Sequence, residues 1–187
     1  MEIPHWIYRL FGRCLGIPKK QSKILILGLS GVGKSTLLNE MSVVWPEGRL
    51  PTQHLISEEL VADNYRFVVS DLGGPQPDRK PWSEILYDVA GIIFLVDATD
   101  RERFAEAKAE LGALVFEKET YKIPILVMGT GIDSRYAVSE DALRSELELE
   151  IVRYRLFELR TCSVFGAIGL WDGLDWLRDR IELRDWE

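Results

Sequence analysis

The chain has 187 residues, 47% hydrophobic and 28% charged, the composition of one globular domain long enough to bury a substantial core. A net charge of -7 and a pI near 5.0 argue against a nucleic-acid binder, which needs a basic field to neutralise phosphates. Two cysteines, Cys14 and Cys162, are too few for a disulfide framework or a metal knuckle and fit a reducing compartment, and no apolar run approaches the ~18 residues of a membrane span.

At the start of the chain, Ile3, Trp6, Ile7, Leu10, Phe11, Cys14 and Leu15 recur at helical spacing, with Arg9, Arg13, Lys19 and Lys20 as their basic complement. That pattern predicts an amphipathic interfacial helix over residues 3–17 that binds an anionic membrane surface; the alternative is a helix packed on the protein's own core. The arginines and the lack of a small-residue cleavage site do not suit a secretory signal. Glu2 and the Asp-Trp-Glu end give no expectation of myristoylation or prenylation. Residues 1–20 are therefore set apart as a membrane-binding segment from a domain spanning 21–187.

From there, apolar strand-like runs alternate with helical patterns: Ile24 to Leu29, Arg66 to Ser70, Gly91 to Asp97, Ile123 to Gly129 and Phe157 to Cys162. The alternation predicts an α/β fold, a six-stranded and mostly parallel sheet flanked by helices. Glu59 to Ala62 and Arg66 to Ser70 flank Asp63-Asn64, which predicts one antiparallel hairpin. Thr99-x-x-Glu102 reads as a capping box ahead of a helix burying Phe104, Leu111, Leu114 and Val115. Ser139 followed by Glu140 and Asp141 reads as another helix start, and Leu170, Leu174, Leu177 and Ile181 mark a C-terminal amphipathic helix.

The motif with the most chemistry is Gly28-Leu-Ser-Gly-Val-Gly-Lys34-Ser35, lying between an apolar run and a helical stretch, as a phosphate loop (P-loop) requires. Its glycines let backbone N–H groups converge on phosphates at a helix N-terminus. Lys34 is expected to reach the β- and γ-phosphates and the Ser35 hydroxyl to ligate Mg²⁺. The candidate phosphate-binding residues are Ser30, Gly31, Val32, Gly33, Lys34, Ser35 and Thr36.

Further motifs follow: Pro51-Thr52-x-His54-x-x-Ser57-Glu58-Glu59-Leu60, then Asp71-Leu72-Gly73-Gly74, then Phe94-Leu95-Val96-Asp97. Together with Trp6-Ile7-Tyr8, they make the chain resemble the Sar subfamily of Arf-like small GTPases, and with Gly173-Leu174-Asp175-Trp176-Leu177, which is closer to Arf itself, the resemblance covers nearly the whole chain. The resemblance implies the P-loop small-GTPase fold, GTP or GDP with Mg²⁺ as ligands, and a molecular switch. It further implies recruitment of the type II vesicle coat (COPII) in endoplasmic-reticulum-to-Golgi transport, with an exchange factor and a GTPase-activating protein as partners. The location it implies is the cytoplasmic face of endoplasmic-reticulum and Golgi membranes. Thr52 would close over the γ-phosphate and bind the metal, Asp71 would hold the metal through water, and the Gly74 amide would sense the γ-phosphate. Thr161-Cys162-Ser163 stands where the family has its last base-contacting loop. Read alone, Thr52 is a loop hydroxyl and Asp71 a strand-end turn former.

Three positions depart from that pattern. The base motif Asn-Lys-x-Asp reads Thr130-Gly131-Ile132-Asp133, so Asp133 remains as acceptor for the guanine N1 and N2 hydrogens. Thr130 is expected to lose the tether to the P-loop and Gly131 the aliphatic stem over the base. Ser30 replaces an acidic residue, and Pro75 replaces the Gln or His that orients the attacking water. Two functions follow: a GTP switch with impaired hydrolysis and weakened base recognition, or a pseudo-GTPase binding module and scaffold in the same pathway.

Overall fold

In a computed structural model of the chain, the residues described are 22–44, 59–62, 65–71, 82–152, 156–163 and 168–184. Their strands are β1 (Ser22–Gly28), β2 (Glu59–Ala62), β3 (Tyr65–Asp71), β4 (Val89–Asp97), β5 (Ile125–Thr130) and β6 (Phe157–Cys162). Helices α1 (Lys34–Val44), α2 (Trp82–Ile85), α3 (Phe104–Phe116), α4 (Glu140–Glu146) and α5 (Leu170–Arg184) connect or follow them. One six-stranded sheet results, in the order β2-β3-β1-β4-β5-β6, with β2 antiparallel to β3 and every other pair parallel.

The sequence explains this arrangement. A sheet with helices on both faces buries its strands on both sides, so central strands read as continuous apolar runs. β4 runs Val-Ala-Gly-Ile-Ile-Phe-Leu-Val-Asp and is buried throughout except at Asp97. Helices do cover both faces: a Cβ added at Gly91 would meet Leu177 and Ile181 of α5, whereas one at Gly129 would meet Leu143 of α4. Gly129 pairs with Val96, five residues and hence one face away from Gly91 along β4. On α5, Leu170, Leu174, Leu177 and Ile181 are all buried, as their spacing predicts.

Two local details differ in an instructive way. Ser139 caps α4 as expected, its Oγ accepting the Ala142 N–H at 3.2 Å. Thr99 caps nothing, because its hydroxyl donates to Asp97 Oδ1 at 2.7 Å and its N–H to the same oxygen at 2.9 Å. The expected capping box is thus replaced by a turn closed by Asp97, and a 3₁₀ turn at Arg101–Arg103 leads into α3 two residues later than Glu102. Hydroxyl groups next to a strand-end carboxylate have a local acceptor that competes with capping.

Parallel pairing places the strands' C-terminal ends along one edge. Gly28 pairs with Asp71 on one side, Asp97 with Thr130, and Thr130 with Cys162. The order in which strands are added reverses at β1, with β3 on one side and β4 on the other, all parallel. Open α/β sheets carry ligands beyond the strand C-termini at such a switch point.

Candidate functional site

The loop leaving β1 at the switch point is Leu29 to Gly33, after which Leu37 N–H bonds to Gly33 C=O at 2.8 Å and α1 is under way. Gly28 has φ +152, and a Cβ there would lie 2.7 Å from the Leu95 carbonyl oxygen and 2.9 Å from Val32 Cγ2, so only glycine lets the loop turn back across β4. Gly31 and Gly33 also have positive φ, winding the backbone into a concave turn whose N–H groups can face an anion. Lys34, the first residue of α1, is 4% exposed, and its ammonium donates to the carbonyls of Gly28 at 3.0 Å and Leu29 at 2.6 Å. A cation is thereby held on the loop it belongs to. Ser35 and Thr36 are exposed in the helix's first turn, Ser30 and Gly31 are exposed on the loop, and Val32 is buried beneath it.

Two side chains from distant parts of the chain grip this loop. Thr130 Oγ1, buried at the end of β5, shares its hydrogen between the carbonyls of Val32 (3.3 Å) and Val96 (3.4 Å). The P-loop tether expected to be lost with the missing Asn is therefore kept by a hydroxyl, because Thr130 stands beside the loop and a short side chain suffices. Arg103 Nη1 donates to Ser30 C=O at 2.7 Å while its Nε pairs with Glu106 at 3.1 Å. Sequence reading missed Arg103: the i,i+3 spacing to Glu106 was visible, its contact with a residue 73 positions away was not. A shallow depression on this flank is lined by Leu29, Ser30, Val32, Asp97, Arg103 and Phe104, and Lys34 does not line it.

At the other end of the edge, Gly131 follows β5 with φ +82, and Ser134 N–H closes a turn onto its carbonyl at 2.9 Å. Asp133 is exposed within that turn. Asp97, tied up by Thr99, stands beside Gly131. Thr161 and Cys162 are the last two residues of β6, where the strand-like run Phe157 to Cys162 places them, and Cys162 is wholly buried in the core. Burial pushes its thiol up to about 11, so at neutral pH the side chain stays a neutral thiol. Ser163, just past the strand, is nearly inaccessible and donates its N–H to Ile168 C=O at 3.0 Å.

Thr52, Gly74, Pro75 and residues 3–17 lie outside the described residues, as does the Asp71 side chain; the Asp71 backbone ends β3 opposite Gly28. Among the described residues, no group of three or more His, Cys, Asp or Glu is arranged to hold a metal, and no helix is long and apolar enough to cross a membrane.

A mostly parallel six-stranded sheet with one antiparallel edge strand, a phosphate loop at the switch point and a lysine opening α1 is the fold of the small GTPases. A family model described as the ADP-ribosylation factor family matches residues 8–181. ADP-ribosylation factor K of Dictyostelium discoideum is 33% identical over 163 residues, 87% of each chain. The small COPII coat GTPase SAR1 of Giardia intestinalis is 33% identical over 174 residues, 87% of this chain and 91% of the relative. ADP-ribosylation factor-like protein 3 of Caenorhabditis elegans is 30% identical over 164 residues, 87% and 89%. The chain belongs to the ADP-ribosylation factor family, as a divergent Arf-like GTP-binding switch.

Proposed function

We propose that the chain is a Sar-like member of this family, binding GTP and GDP with Mg²⁺ and acting in COPII coat assembly between endoplasmic reticulum and Golgi. The observation that carries the nucleotide part is the Lys34 ammonium held over a glycine-wound loop at a helix N-terminus, on the same sheet edge as Thr130 and Asp133. The donor set fits a polyphosphate: backbone N–H groups, a helix N-terminus and a lysine. A similarity to the Giardia coat GTPase supports the coat role, as do the Pro51-Thr52-x-His54 and Asp71-Leu72-Gly73-Gly74 motifs.

In this reading Ser30 to Thr36 bind the phosphates, with Lys34 neutralising the β- and γ-groups. Ser35, Thr52 and Asp71 hold the metal, and Thr52 and the Gly74 amide report the γ-phosphate. Asp133 accepts from the guanine edge, and the residues around Ser163 close the base site. When bound, the nucleotide would supply the γ-phosphate whose presence or absence sets the switch, and the metal would neutralise its charge. Pro75 has no side-chain polar atom and no N–H with which to orient a water, so hydrolysis is slow. Residues 3–17 bring the switch to anionic, cytoplasm-facing membranes.

Nucleotide recovered from the purified chain, followed by titration with GTP, GDP and ATP, tests the reading. Saturable binding of guanine nucleotides over ATP supports it, and equal or absent binding rejects it. A static pseudo-GTPase scaffold is the second reading, favoured by Gly131, which offers no side chain to cover a base. Single-turnover hydrolysis separates the two: acceleration by Pro75→His identifies an impaired switch, and no measurable turnover in either chain a static module. Flotation with anionic liposomes, compared with a Trp6, Leu10 and Phe11 to Ala variant, tests the anchor; equal flotation excludes it.

A further inference from the structure

We infer that Arg103 is a positioning residue for the phosphate site: it fixes the Ser30–Gly31 peptide plane so that the Gly31 N–H faces the bound anion. The inference rests on the nucleotide-binding reading above and adds a residue that reading does not use.

A trans peptide carries its C=O and N–H on opposite sides. Arg103 draws the Ser30 carbonyl outward, toward the start of α3, with a 2.7 Å bond. The Gly31 N–H is thereby directed away from α3, into the mouth of the loop. Thr130 does the same two peptides further on, taking the Val32 carbonyl at 3.3 Å and so turning the Gly33 N–H inward. Alternate carbonyls are held out, and alternate N–H groups are left for the phosphates.

The Ser30–Gly31 plane needs such a restraint. Ser30 and Gly31 are exposed, Gly31 has φ +83, and a Cβ built there would touch nothing within 4 Å. A peptide next to an unhindered glycine rotates at little cost. Rotated, it would present a carbonyl oxygen to a phosphate, replacing attraction with repulsion. Arg103 is itself held in place, since Glu106 Oε2 takes its Nε at 3.1 Å and leaves the Nη1 side turned to the loop. Ser30 also matters to this arrangement. A carboxylate at that position would compete for the guanidinium and release the carbonyl, so the serine leaves Arg103 committed to the backbone.

The experiment uses the full ¹⁵N-labelled chain, with two readouts: the dissociation rate of a fluorescent GTP analogue and the Gly31 and Gly33 amide shifts on adding GDP. Arg103→Gln is expected to release the analogue about tenfold faster, the weight of one charge-assisted hydrogen bond at a partly exposed site. Its Gly31 shift on GDP binding shrinks while the Gly33 shift persists, a split that general loosening of the fold would not produce. Arg103→Lys restores part of both. Ser30→Asp keeps Arg103 in the chain but withdraws it from the carbonyl, so it moves release and the Gly31 shift in the same direction by less. Should Arg103→Gln fail to fold, Ser30→Asp alone decides. Native release and a native Gly31 shift in the variants overturn this inference and leave the nucleotide reading intact. No saturable GTP or GDP binding by the native chain overturns both.

Discussion

The two ends of the proposed nucleotide site are built from different materials. At the phosphate end, β1, the glycine turn and α1 present backbone groups, fixed by conformation and by a lysine held on carbonyls at 3.0 and 2.6 Å. At the base end, the loops after β5 and β6 rely on individual side chains, and there the chain has Thr130, Gly131 and an exposed Asp133. A backbone cradle survives drift in most of its side chains because its N–H groups do not depend on them. A side-chain cradle changes with each substitution. This division explains how one chain keeps a complete phosphate loop and an altered base motif.

The sharpest way to break the comparison is to remove one group from each end. Lys34→Ala takes away the buried cation, a loss of about 3–5 kcal/mol when one partner of a desolvated charge pair is removed. Equilibrium titration is expected to show it losing GTP, GDP and ATP alike. Asp133→Ala takes away an acceptor for the base edge only, worth about 1–3 kcal/mol. It is expected to narrow the gap between GTP and ATP and leave ATP binding unchanged. If Asp133→Ala weakened ATP as much as GTP, the ends would not be separable.

Gly28→Ala probes whether the phosphate end is truly set by conformation. The added Cβ meets the Leu95 carbonyl at 2.7 Å and Val32 Cγ2 at 2.9 Å, at a φ of +152 that side chains avoid. Backbone strain and overpacking together cost about 2–4 kcal/mol. Denaturant unfolding is expected to show that loss, with nucleotide affinity falling in parallel; a fully stable Gly28→Ala chain would mean the loop can be re-formed with another backbone.

How far the sequence foretold all this follows the same division. β1, β4 and β5 were legible because two-sided burial writes itself as apolar runs, the hairpin because Asp63-Asn64 parts two strand-like runs, and α5 because its leucines step at helical spacing. The phosphate loop was legible because its lysine bonds and helix start are local, spanning Gly28 to Leu37. What failed depended on neighbours far along the chain or on a boundary. Thr130 looked too short to tether the loop until the parallel register placed it against Val32, 98 residues earlier. Thr99, at the helix boundary, chose Asp97 over the helix.

Gly131 shows how the structure changes a design. Restoring the family's lysine, with Thr130→Asn, is the obvious repair of the base end. Gly131 has φ +82, and a Cβ there lies 3.1 Å from Thr99 Cγ2, so a lysine must hold a left-handed backbone and displace a methyl group. The left-handed conformation alone costs about 1–2 kcal/mol. Any gain from covering the base is offset by that strain. Gly131→Lys is therefore expected to leave GTP affinity within about threefold of native while lowering the melting temperature; a tenfold gain with no loss of stability would show that the loop relaxes freely.

The smallest energetic cost expected is at Thr130, and it sharpens the comparison most, because this residue belongs to the base motif by sequence and to the phosphate loop by contact. Its hydroxyl reaches Val32 C=O and Val96 C=O at 3.3 and 3.4 Å, long bonds that share one hydrogen. Thr130→Val keeps the shape and removes the donor, leaving the Val32 carbonyl short of a partner at a cost of about 1 kcal/mol, or about fivefold in affinity. Since the freed carbonyl lies on the phosphate loop, GTP, GDP and ATP should weaken by the same factor. Thr130→Ser keeps the donor and should bind as the native chain does. A Thr130→Val chain that lost guanine over adenine selectivity, with its ATP affinity untouched, would place this side chain on the base and return the residue to the role its motif suggests.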